Sequence, residues 1–170
     1  LEFTFADKRW LTYEEIAAGG DIERAPALGF HIPNCFDKVL DIDECHLQRD
    51  PSNAIRTETK RFCIEHGYSF HNAREHAGLM RNMIIRTSST GEIMVIVVFN
   101  ADDSERITAL LEHLAERFPE ITSLFYVVNT KWNDSTGDLT PVCFKGKDHI
   151  IERMEDLQFK VGPKSFYQTN

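Results

Sequence analysis

Residues 79–87 and 92–99 are two apolar runs rich in Ile, Val and Met, and only Ser88-Ser89-Thr90-Gly91 lies between them. Side chains of this kind suit a pleated, half-buried surface, and a link this short lets two strands pair only antiparallel, since a parallel partner needs a crossover of about a dozen residues or more. An antiparallel hairpin in mid-chain therefore predicts a sheet built around it and argues against a purely βαβ-wound fold.

Two helices flank the hairpin in the sequence. Asp50-Pro51 reads as a cap followed by a proline at the first helical position of a segment that runs through Ile55, Phe62 and Cys63 to Gly67, a suitable left-handed terminator. After the hairpin, Asp102-Asp103-Ser104-Glu105 supplies a cap with an acidic residue three positions on. Ile107, Leu110, Leu111, Leu114 and Phe118 then recur at helical spacing until Pro119. Residues 1–5 alternate as a strand does, and 27–32 and 38–42 read as strands around a Pro33-Asn34 turn, with a helical turn and loop between residues 13 and 26. Residues 121–129 predict another strand, with weaker ones near Val142, at 149–152 and at 157–161. This order predicts an α+β fold: a mostly antiparallel sheet whose apolar face packs on two main amphipathic helices.

A chain of 170 residues that is 42% hydrophobic has material for one core, and no run approaches the ~20 apolar residues that span a bilayer. With no secretory leader and with Cys35, Cys45, Cys63 and Cys143 forming no C-x-x-C pair, the expected setting is a reducing cytoplasm, no membrane contact and a monomer. A net charge of −8 disfavours broad binding to nucleic acid, so any RNA contact has to be local; Arg81/Arg86 and Lys160/Lys164 are the candidate pairs. Nucleotide-binding glycine turns, an H-E-x-x-H pair, and serine-hydrolase and kinase signatures are all absent, and Asp41, Asp43 and Glu44 read as the polar end of a strand rather than an acid/base pair. The chain opens without an initiator Met and closes on Ser165-Phe166-Tyr167-Gln168-Thr169-Asn170 without a helix stop, so both ends read as cut.

Four stretches carry a family likeness: Ala27-Leu28-Gly29-Phe30-His31, Val39-Leu40-Asp41-Ile42-Asp43-Glu44-Cys45-His46-Leu47-Gln48, Gly78-Leu79-Met80-Arg81-Asn82-Met83-Ile84-Ile85-Arg86, and the final run from Phe159 to Asn170. In order and spacing they resemble the RNA (uracil-5)-methyltransferases, which modify 23S ribosomal RNA or the T-loop of tRNA. Members of that family resemble one another in having an RNA-binding β-barrel, a central α+β domain and a Rossmann-like S-adenosylmethionine domain. The resemblance implies that 1–156 is the central domain and 157–170 the first strand of the catalytic domain. Their reaction needs a cysteine that adds to C6 of uracil, a base that removes the C5 proton and S-adenosylmethionine as methyl donor. In relatives these groups follow the S-F-x-Q-x-N segment, so no catalytic residue is expected here.

By the same resemblance, Gln168 is the expected cofactor contact and Phe166 the aromatic that supports an extruded base, while a plain core aromatic is the other reading of Phe166. Cys45 matches the fourth cysteine of a [4Fe-4S] site whose other three thiolates are absent, so alone it cannot hold a cluster; its other reading is a small buried residue. Arg81 and Arg86 are the expected phosphate contacts from the hairpin. The implied function is a fragment of a 23S rRNA methyltransferase that positions RNA, with ribosomal RNA favoured over tRNA. The alternative is an acidic protein-interaction module without RNA or catalytic work.

Overall fold

The computed structural model describes residues 1–22 and 24–166. In chain order the elements are β1 (Glu2–Ala6), α1 (Tyr13–Ala18), β2 (Ala27–Ile32), β3 (Cys35–Asp41), α2 (Ser52–Glu65), β4 (Met80–Thr87), β5 (Ile93–Phe99), α3 (Ser104–Arg117), β6 (Ile121–Val128), β7 (Val142–Gly146), β8 (Ile150–Met154) and β9 (Leu157–Val161). Seven strands form one sheet in the order β3-β2-β1-β4-β5-β6-β7, and β8 and β9 make a separate antiparallel pair. The expected hairpin is the sheet's centre, with Ile84 opposite Ile96 and Ile85 opposite Val95. Every neighbouring pair in the large sheet is antiparallel except β5 with β6. That exception follows from α3, a crossover long enough to return the chain alongside β5.

β5 is buried at all of its residues because both of its faces are covered, which explains a continuous apolar run where a half-solvated strand would alternate. On one face Phe3, Phe5, Met83, Ile85, Val95, Val97 and Phe99 pack against Ile55, Phe62 and Cys63 of α2 and Ile107, Leu110, Leu111 and Leu114 of α3. Each such side chain contributes roughly 1.5–3 kcal/mol of transfer free energy. On the other face Met94, Ile96, Val98, Phe125 and Val127 pack against Ile150 and Val161 of the β8–β9 pair. That small hairpin covers β5 and β6, with Ile84 of β4 packed against the same cluster, and among the described residues the β1–β3 end of this face carries the small cluster Ala6, Ala27 and Val39.

The helix ends correct one expectation. Asp50 does not cap α2: Pro51 itself sits at the cap position without a side-chain hydrogen bond, and its carbonyl accepts from the Ile55 N–H at 2.9 Å. Gly67 closes the helix with φ +66, as its freedom from a Cβ permits. α3 is capped by Asp103, which accepts from the Arg106 N–H at 3.1 Å. The division expected between residues 156 and 157 falls at the turn of the β8–β9 hairpin, whose two strands share one ladder from Ile150↔Val161 to Met154↔Leu157. No described helix is long and apolar enough to cross a membrane.

Candidate nucleic-acid interface

The uncovered end of the second sheet face is the floor of a groove of about 770 Å3. Thr4, Ala6, His31, Val39 and Asn82 supply strand positions on the floor, and the walls come from segments 7–11, 36–38, 71–74 and 132–134. The groove exists because, among the described residues, the β8–β9 pair packs on the part of this face from β4 to β6 and leaves the β1–β3 end without that cover.

Arg81 builds one wall. The β4–β5 register slips between Met80 and Asn82, and this bulge releases Arg81 from the strand's alternation. Its side chain is 1% exposed, and every guanidinium nitrogen donates internally. Nε and Nη2 donate to Asp134 Oδ1 at 3.1 and 2.9 Å, Nη1 to the carbonyls of Asn129 and Lys131 at 2.7 and 2.6 Å, and Nη2 also to the Asn133 carbonyl at 2.8 Å. The role the structure gives Arg81 is therefore to hold the loop after β6, not to present an open charge to phosphate. Asn129 tightens the same loop, donating to the Asn133 carbonyl at 3.1 Å and accepting from the Lys131 N–H at 3.2 Å.

From that loop Trp132 projects, 77% exposed, with its ring stacked on His76 at 4.4 Å and 19° between planes. His76 has φ +52 and is tied through Nε2 to the Thr130 carbonyl at 3.0 Å. Gly78, at φ +100, brings the chain so close to segment 70–71 that a Cβ would collide with the Phe70 carbonyl. This close passage seats His71, which is buried and has no partner for Nδ1 among the described residues. Burial, then the nearby Arg81 charge, pushes the His71 pKa below its ordinary value and keeps the ring neutral at neutral pH.

The walls carry six Lys and Arg residues against three Asp, a local excess of positive charge on a chain whose total is −8. Three of the cations are matched: Arg9 to Glu15 at 2.6 Å, Arg74 to Asp37 at 2.5 Å and Arg81 to Asp134. The Arg9 bond, then the Thr12 N–H, draws the Glu15 carboxyl down to about 2. Lys8, Arg24 and Lys38 have no carboxylate partner among the described residues. Phe36, 68% exposed, adds a second open aromatic to the lining. Cations without partners and uncovered aromatics in one concavity can neutralise phosphates and stack bases.

The other expected residues lie elsewhere. Arg86 donates from Nη1 to the carbonyls of Gly162 and Ser165 at 2.9 and 3.0 Å, which anchors the segment that leads to Phe166. Both residues line a smaller hollow of about 250 Å3 with Glu2, Ile84 and Val127. Phe166 is 88% exposed, so it is not a core aromatic here. Gln168 lies outside the described residues. Cys45 is buried, and the Asn53 side chain clamps its backbone N–H at 2.8 Å and its carbonyl at 3.1 Å. Among the described residues no group of three or more His, Cys, Asp or Glu could hold a metal, so Cys45 has no co-ligands for a cluster. Burial pushes the Cys63 thiol up, as suits an inert core cysteine. Asp41 is structural: its carboxylate accepts from the Leu28 N–H at 3.0 Å and pairs with Lys60 at 2.5 Å. Lys164 donates to the Gly137 carbonyl at 3.0 Å.

No family model matches the chain. Along its whole length it is 54% identical to an uncharacterised RNA methyltransferase of Bacteroides thetaiotaomicron and 53% identical to one of Porphyromonas gingivalis, covering 38% of each. An uncharacterised RNA methyltransferase of Chlorobaculum tepidum is 35% identical, with 36% of it covered. The chain thus spans a little over a third of the length of the curated relatives it matches. Among solved structures, the Pyrococcus abyssi tRNA (uracil-54, C5)-methyltransferase in complex with S-adenosyl-L-homocysteine superposes with a TM-score of 0.69 at 25% identity, over 100% of this chain and 36% of that one. With the α+β fold and these matches in hand, the chain is similar along its whole length to one segment of proteins named RNA methyltransferases and of a tRNA (uracil-54, C5)-methyltransferase.

Proposed function

We propose that the chain is the RNA-positioning part of an S-adenosylmethionine-dependent RNA (uracil-5)-methyltransferase of the cytoplasm, with 23S ribosomal RNA as substrate ahead of tRNA. The observation that carries this reading is the groove on the open sheet face, where Lys8, Arg24 and Lys38 stand without carboxylate partners among the described residues, beside Phe36 and Trp132. Phosphates that replace solvent beside these cations release counterions, so binding weakens steeply with salt. The names of the relatives support RNA as the ligand and methyl transfer as the reaction of the larger proteins. The preference for ribosomal RNA rests on the likeness of Cys45 to the cluster cysteine of rRNA-modifying members, whereas the Pyrococcus abyssi enzyme is named for tRNA uracil 54.

In this reading Phe166, with its ring open to solvent, supports the target uracil, Arg86 holds the segment beneath it, and Gln168 meets the cofactor. S-adenosylmethionine supplies the methyl group when bound. Among the described residues no glycine-rich turn leads from a strand into a helix, since α1, α2 and α3 start at Thr12, Pro51 and Asp103; these residues do not cradle the cofactor, and no step of methyl transfer is assigned to them.

Two measurements test the proposal. The chain titrated with 23S rRNA hairpins and with tRNA across a salt series is expected to bind with a log–log slope of about −2 to −3, from roughly three phosphate contacts. Salt-independent binding, or none, would favour the protein-interaction module instead. The whole protein that contains the chain is expected to place 5-methyluridine in 23S rRNA, read by nucleoside mass spectrometry; methylation of tRNA alone would reverse the substrate preference.

A further inference from the structure

We infer that Trp132, backed by His76, is a stacking subsite for one unpaired nucleobase of the bound RNA, an inference that rests on the groove being an RNA interface. Trp132 lines the groove and His76 does not, so the histidine supports the indole from outside and leaves the opposite ring face to the groove. A large aromatic that is 77% exposed forfeits its burial free energy unless something covers it.

The platform is also rigid. Arg81 holds the loop at Asn129, Lys131, Asn133 and Asp134, and the His76 ring is fixed to the Thr130 carbonyl at 3.0 Å. A base that stacks on a platform already in place loses only its own freedom, so most of the stacking energy appears as affinity.

Two further features favour a nucleotide over an aromatic side chain of a protein. The Lys8 and Lys38 side chains line the same groove without carboxylate partners among the described residues, which suits a ligand whose apolar ring comes with a phosphate. His71 also lines the groove and keeps a buried Nδ1 without a partner among the described residues, a polar atom that costs free energy until a ligand or water meets it. A duplex keeps its base faces inside the stack, so this subsite distinguishes RNA with an unpaired nucleotide from fully paired RNA.

The test compares the intact chain with Trp132→Ala, Trp132→Leu and Trp132→Phe, each titrated at one salt concentration with a uridine-containing stem–loop and with its fully paired duplex counterpart. Trp132→Ala and Trp132→Leu are expected to weaken stem–loop binding about tenfold or more, Trp132→Phe by no more than about threefold, and duplex binding is expected to stay unchanged. Leu keeps apolar cover over His76 without a π face, so it separates stacking from loop packing. Equal stem–loop affinity in all four proteins, or equal losses for stem–loop and duplex, would overturn the subsite while leaving the RNA interface standing. If the unsubstituted chain binds neither RNA, the interface itself is wrong and the subsite falls with it.

Discussion

The two faces of the central sheet are made by alternate residues of the same strands, yet one is sealed and the other half open. On the sealed face Phe3, Phe5, Met83 and Ile85 meet α2 and α3. One residue away in sequence, Thr4 and Asn82 look onto a groove. The period-two geometry of a strand assigns residues to faces, but which face stays wet depends on how far its cover reaches, and here the cluster under the β8–β9 hairpin ends at Ile84 of β4. Stability is concentrated on the first face and ligand chemistry on the second.

That division can be broken most forcefully from the sealed side. Leu110→Ala, at a fully buried position of α3, is expected to cost about 3 kcal/mol in urea unfolding, within the ~2–5 kcal/mol typical of such deletions, and to leave the salt dependence of RNA binding as it was. A comparable loss of affinity without loss of stability would mean that the two faces are not separable. Arg81→Met probes the one residue that serves both. Its removal strands the carbonyls of Asn129 and Lys131 and leaves that of Asn133 to the Asn129 side chain alone, and a loss of about 2 kcal/mol is expected together with weaker RNA binding as the loop loosens. An unchanged melting curve would deny the loop its anchor.

Acid sharpens the comparison on the sealed side. Arg61, then His113, holds the Glu58 carboxyl well below its usual range, at about 2, where it links α2 to α3. A depressed carboxyl contributes stability that is fully present above its unfolded value of 4.5 and is lost as pH falls toward 2. Wild type should therefore lose on the order of 1 kcal/mol more than Glu58→Gln between those pH values, a difference reduced by the solvent around Arg61. Parallel acid titrations of the two proteins would refute the link. The smallest effect on stability is expected from Lys38→Ala on the open side, where the melting temperature should not move while the salt slope for RNA drops by about one contact, roughly 0.7–0.9 in log–log units.

The parts legible in the sequence are those with a period. The hairpin of β4 and β5 and the apolar spacing of Ile107, Leu110, Leu111 and Leu114 stand in the structure near their expected places, and the α3 cap falls within the expected Asp102–Glu105 run but on Asp103, whose third neighbour is Arg106 and not an acid. The parallel pairing of β5 with β6 was not legible, because periodicity names elements and not their partners. The cap of α2 was misplaced by one residue, since Asp50-Pro51 has the composition of a cap without its hydrogen bond. The groove had no signal at all as a unit: Lys8, Lys38, His71 and Trp132 sit on four separate segments that only the fold brings together. Arg81 drew notice as a basic residue on a hairpin, but its burial depends on a bulge that composition does not show.

Arg81 grips the loop after β6 mainly by main-chain oxygens, those of Asn129, Lys131 and Asn133. A clasp on the backbone is indifferent to what the intervening residues carry. The side chains at positions 130 and 132 are thus exchangeable without redrawing the turn, and in the proposed RNA-binding role a change at Trp132 alone would retune which RNA the groove prefers while the sheet beneath keeps its shape.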